Sequence, residues 1–174
     1  MIENFIRFIM SNFTLTFLVI GLVFSAVAIA RAPRPRSGAV VVEKLISWFI
    51  FWTIGVLYTY NFIFHVFFGQ MAAAFIGWSD SPFQLEVGMA SLGCGVVGFY
   101  AAFRSLEVRV AAILSPAIFM LGAFVGHAYQ IRLTHNMAPG NAGIMFYSDI
   151  ILPLLGFVLL WAQWKAGRPE GGVK

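Results

Sequence analysis

The chain has 174 residues, of which 60% are hydrophobic and 10% charged. Soluble domains carry about 25% charged residues, and a water-soluble fold of this size could not hide so much apolar surface. The net charge of +4 comes from basic residues in short segments between apolar runs, which mark membrane topology and argue against a nucleic-acid surface.

With lipid as solvent, apolar side chains face outward and every backbone polar group must be satisfied within the protein. The expected fold is therefore all-α: a polytopic transmembrane helical bundle forming one domain over residues 1–174. Crossing the hydrocarbon core takes about 20 residues of helix.

Residues 8–30 carry no charge, and Ala28-Ile29-Ala30 has the look of a signal-peptidase site. The run is long enough to span, however, and Arg31, Arg34 and Arg36 follow it directly. That is a stop-transfer pattern, so residues 11–30 are read as the first span. A second span is expected over 45–68. Residues 45–79 hold no formal charge, and as one helix they would measure about 52 Å, too long for a single crossing. Residues 69–79 are accordingly placed at the outer face, with Trp78 at the interface.

The third span, 82–103, opens on Ser81-Pro82-Phe83-Gln84. This reads as a capping box, with Ser at the N-cap, Pro in the first helical position and Gln two residues further on. The fourth span is expected over 110–131. The fifth, 143–164, follows the turn Pro139-Gly140-Asn141-Ala142-Gly143, in which Asn141 would cap the helix. Pro153 lies inside it and displaces the carbonyl of residue 149. Small residues four apart, such as Ser91/Gly95, Cys94/Gly98 and Gly122/Gly126, let helices approach closely.

Arg31, Arg34, Arg36, Lys44, Arg104, Arg109, Lys165, Arg168 and Lys174 fall on one side of these five spans, against Arg7 and Arg132 on the other. The positive-inside rule puts the N-terminus outside and the C-terminus in the cytoplasm of a bacterial inner membrane. Cys94, the single cysteine, reads as a packing residue.

Ionisable groups inside a membrane are costly and each needs an account. Counted from the cytoplasmic ends, His65, Glu86, His127 and Asp149 come from four different spans yet share one level, the outer third of the membrane. The cytoplasmic half reads as plain packing with basic anchors. Asn61 lies on the same helix face as His65, Gln130 is one turn from His127, and Gln84 is close to Glu86. The candidate site is thus Asn61, His65, Gln84, Glu86, His127, Gln130 and Asp149.

Three readings compete. Two imidazoles and two carboxylates, His65, Glu86, His127 and Asp149, would suit a transition metal; His65 and His127 alone would suit a haem. A polar pocket or path for a ligand, ion or proton, open to the outside, is the second reading. In the third, the carboxylates sit near helix N-termini, where the dipole favours them, and the histidines merely hydrogen-bond at the interface. An accessory subunit of a larger membrane complex, or a homo-oligomer, would also use polar groups to meet a partner. Nucleophile-elbow, zincin and Walker-type enzyme motifs are absent, and Gly93-Cys94-Gly95 lies within a span, the wrong context for a phosphate cradle.

The stretch Gly77-Trp78-Ser79-Asp80-Ser81-Pro82-Phe83-Gln84-Leu85-Glu86-Val87-Gly88 resembles a signature of small bacterial polytopic inner-membrane proteins, an uncharacterised family with a domain of unknown function. Pro139-Gly140-Asn141-Ala142-Gly143 with Asp149 and Pro153 is similar to their second block. The resemblance covers most of the chain after residue 45. It implies a bacterial source and a small helical bundle, and it supplies no catalytic residues.

Overall fold

A computed structural model describes residues 8–167. Arg7, Arg168 and Lys174, counted above for orientation, lie outside the described residues. Every regular element within them is a helix.

Helix α1 spans Phe13–Arg31. The second helical run is continuous from Gly38 to Phe67. It comprises α2 (Gly38–Ile50), a π-helical segment (Phe51–Val56) and α3 (Leu57–Phe67). It starts seven residues before the expected Leu45 because Ser37 caps it, accepting a hydrogen bond from the Val40 N–H. Glu43 therefore lies inside the helix instead of in a loop. The run breaks at Phe68, whose backbone leaves the helical region (φ −132°, ψ 36°), and a short helix, α4 (Gly69–Ile76), folds over the end of the bundle. Helix α5 covers Phe83–Ala101 and α6 Leu106–Thr134. A single turn, α7 (Pro139–Ala142), precedes α8 (Ile144–Ala166).

Phe13–Arg31, Gly38–Phe67, Leu106–Thr134 and Pro139–Ala166 are long and apolar enough to cross a membrane. Helix α5 has 19 residues but is less apolar, with Gln84 and Glu86 in its first turn and four glycines along it. The expected capping box at its start does not form: no side chain caps the helix. Ser81 contributes only its backbone carbonyl, to the Gln84 N–H, and the Gln84 side chain is engaged elsewhere.

Small residues set the closest approaches. A Cβ at Gly98 would lie 2.6 Å from the Gly55 nitrogen, and one at Gly88 2.5 Å from Val66 Cγ2. Helix α5 thus runs antiparallel against the π segment and α3, and Phe103 beyond its end still reaches the Trp48 ring at 5.5 Å. Gly156 of α8 lies against Ile113 of α6. Ile46, Ile50 and Leu57 fill the interior between these contacts, while Ile118, Val125, Phe83 and Leu154 are all more than half exposed. Close small-residue contacts and an apolar exterior are what lipid as solvent requires.

Two ends of the bundle follow from this packing. At one, the segment 68–82 meets the segment 135–143: Asn136 Nδ2 donates to the carbonyls of Ile76 and Gly77 at 3.0 and 3.2 Å. Gly77 is required there. Its φ is +76°, and a Cβ would come within 2.6 Å of Asn136 Oδ1. At the other end are residues 32–37 and 102–105.

Candidate functional site

Sequence alignment by depth placed four ionisable groups at one level, and packing divides them. Asp149 lies in the second turn of α8, one residue past Ser148. The Ser148 hydroxyl is 2.8 Å from that of Thr14 on α1, which fixes the rotation of α8. Asp149 then faces inward, 5% exposed, as is His127 of α6. Their side chains meet with His127 Nε2 3.6 Å from Asp149 Oδ2. Asp149 Oδ2 has no hydrogen-bond partner.

The other ring nitrogen, His127 Nδ1, is 2.8 Å from Asn141 Oδ1. The orientation of the Asn141 amide is decided by its surroundings. Its nitrogen donates to the Asn136 carbonyl at 2.8 Å and points to the His127 carbonyl at 3.5 Å. Both are acceptors, so the amide oxygen must be the end that faces the ring. His127 Nδ1 therefore carries the hydrogen. Asn141 was expected to cap α8; it is fully buried, and Gly143 occupies the capping position without a side-chain bond. Trp78 completes the surroundings, its ring 5.6 Å from the imidazole.

His65 and Gln84 pair with each other, through His65 Nδ1 and Gln84 Oε1. One turn deeper, Asn61 Nδ2 donates to Ser91 Oγ at 2.9 Å. These two bonds stitch α3 to α5. Glu86 is exposed. Gln130 closes the end of α6, accepting from the Thr134 hydroxyl at both its carbonyl and its side-chain oxygen. Among the described residues no three His, Cys, Asp or Glu side chains gather to hold a metal ion. The four-ligand set of His65, Glu86, His127 and Asp149 is thus not assembled. A transition metal takes three or four protein ligands, whereas His127 and Asp149 supply two. The N-terminal dipole account holds for Glu86, in the first turn of α5; Asp149 lies too deep in α8 for it.

The opposite end is not plain packing. Arg109, expected as a loop anchor, is completely buried. It grips Glu43 with two bonds of 2.7 Å and also donates to Ser47 Oγ and the Ala102 carbonyl at 2.8 Å. Gln163 Nε2 of α8 donates to Glu43 Oε2 at 3.0 Å. This clasp ties α2, the α5–α6 connection and α8 together. Arg109 is buried while the Glu43 side chain is 28% exposed, so removing Glu43 is the costlier change: it strands the buried guanidinium, at up to about 3–5 kcal/mol. Glu43 and Ser47 at i and i+4 were a signal that could have pointed to it.

Residues 11–169 match DUF6790, a family of unknown function. The chain belongs to that family. The DUF6790 match takes in α1 to α8 and the π-helical segment, so the His127–Asp149 dyad and the Glu43–Arg109 clasp both lie within it. No curated protein and no solved structure matches the chain.

Proposed function

We propose that this membrane protein reversibly binds a single proton between His127 and Asp149. One observation carries the reading. Asn141 fixes the hydrogen of His127 on Nδ1, so in a neutral ring Nε2 presents a lone pair. That lone pair faces an unpartnered, buried carboxylate oxygen 3.6 Å away. Two acceptors facing each other in a low-dielectric interior repel. One proton resolves the conflict, either on Nε2 as an ion pair or on Oδ2 as a neutral acid. The dyad titrates as a unit, and its charge changes from zero to minus one when the proton leaves. Intramembrane His and Asp groups of this kind serve proton relays.

The same reading gives a five-span bundle. Helix α5 lies beside the second span from Val66 to Trp48, which favours its crossing as well. With the positive-inside rule, the dyad end is then the outer face of a bacterial inner membrane.

Infrared difference spectroscopy on purified protein across a pH range tests the dyad. The expected outcome is a pH-dependent carboxyl or imidazolium band that disappears in both Asp149→Asn and His127→Gln. Identical difference spectra for the wild type and Asp149→Asn would sink the proposal.

A further inference from the structure

A buried proton site exchanges with water at one end of the bundle, at the other, or at both. The two ends of this bundle are built very differently.

Toward the clasp, the route is packed shut. A cavity of about 20 Å³ lies between Tyr58, Pro116, Met120 and Pro153. Its walls are nearly all apolar, and the Tyr58 hydroxyl there is engaged, donating to the Pro116 carbonyl at 3.1 Å. Ile113, which also lines the cavity, is 2% exposed, and beyond it Ile46 and Ile50 have no exposed surface. Behind these stands the Arg109 guanidinium, whose terminal nitrogens all have acceptors.

Toward the other end, the cover is thin. Trp78 is 42% exposed to the outside while its ring lies over His127. It sits in a connection, directly after the left-handed Gly77. That connection is held to the segment 135–143 by the Asn136 amide, while α4 before it packs Phe75 closely against Gly140. Segments joined by a few surface hydrogen bonds open locally at low cost.

Few charged or titratable groups face the dyad from the surrounding elements. Tyr58 of α3 is within electrostatic reach of Asp149, and Cys94 of α5 is within reach of Tyr58. Helix α1 contributes uncharged Thr14 through Ser148, α7 contributes Asn141, and the segment before α5 contributes Trp78. His65 is paired with Gln84 and Glu86 is exposed.

Resting on the one-proton reading, we propose that the dyad exchanges its proton only with the aqueous phase at the Trp78 end, and that Trp78 is the cover that sets the rate. The protein is then a one-sided proton binder and not a conduit across the membrane.

The test uses the full chain reconstituted in vesicles with its orientation determined. The pH is jumped on one side at a time, and Trp78 fluorescence is read as the difference between wild type and Trp78→Phe. Proton loss changes the charge beside the indole from zero to minus one whichever atom held the proton, and indole emission follows local charge. The double variant His127→Gln/Asp149→Asn should therefore abolish the pH response while leaving the emission. The expected result is a response to jumps on the Trp78 side and none to jumps on the clasp side. In parallel, deuterium exchange at His127 Cε1 should be several-fold faster in Trp78→Ala and near wild type in Trp78→Phe, which keeps an aromatic cover. A response from the clasp side, or unchanged exchange in Trp78→Ala, overturns the inference while the infrared signal of the dyad stands. Loss of that infrared signal overturns the one-proton reading itself.

Discussion

The Asn141 side chain has both of its polar atoms engaged inside the bundle, and this makes it the organising residue of the dyad. Replacing it with Leu removes the acceptor for His127 Nδ1 and leaves the Asn136 carbonyl without its donor. Loss of such buried bonds costs about 1–3 kcal/mol. The sharper consequence is chemical. Asn141→Leu should release the ring into a mixture of tautomers, and nitrogen NMR of labelled histidine reads this directly. A pure Nδ1–H signal in the variant would show that Asn141 does not set the tautomer. At this scale the sequence was only partly legible. Depth counting found His127 and Asp149, because burial of an ionisable group is visible in one dimension. It misassigned Asn141 as a cap and Arg109 as an anchor, because a residue's partner comes from another helix.

Helix α5 owes its position to glycine. Gly98 allows backbone contact with Gly55 of the π segment, where a Cβ would be 2.6 Å from a backbone nitrogen that cannot move aside. Gly93, on the same helix, has nothing within 4 Å of its would-be Cβ. The two therefore respond oppositely to the same change. Gly98→Ala should lower the thermal stability of the detergent-solubilised protein, by about 1–3 kcal/mol for overpacking. Gly93→Ala should leave it unchanged or raise it by up to about 1 kcal/mol through helix propensity. Thermal melts of both variants check this, and equal effects would contradict the close contact. The helices themselves were readable: 82–103 contains α5, 143–164 nearly contains α8, and 110–131 lies inside the longer α6. The start of the second helix was not, because the signal was sought in hydropathy, and Glu43 and Lys44 interrupt hydropathy without interrupting the helix. The break at Phe68 follows the expectation that 45–79 is too long for one crossing.

Across the whole molecule, polar groups gather at both ends of the bundle, and apolar side chains cover its outside. Arg109 and His127 are 18 residues apart on one helix, about 27 Å. If α5 crosses, single cysteines placed in 32–37 and in 102–105 should label from one face, and those in 77–82 and 135–143 from the other. Labelling of 77–82 and 102–105 from the same face would reduce the count to four spans.

What the sequence determined alone is membrane residence, the helical class and the approximate reach of each helix. These depend on sums along the chain, apolar length and the spacing of charges, and need no knowledge of neighbours. Which polar groups meet was decided only by tertiary structure. His65 turns to Gln84, His127 to Asp149 and Asn141, and Arg109 to Glu43, because glycine contacts and the Thr14–Ser148 bond set how far each helix is rotated and slid against the next. A shift of one residue turns a helix by about 100°, enough to move any of these groups from the interior to the lipid.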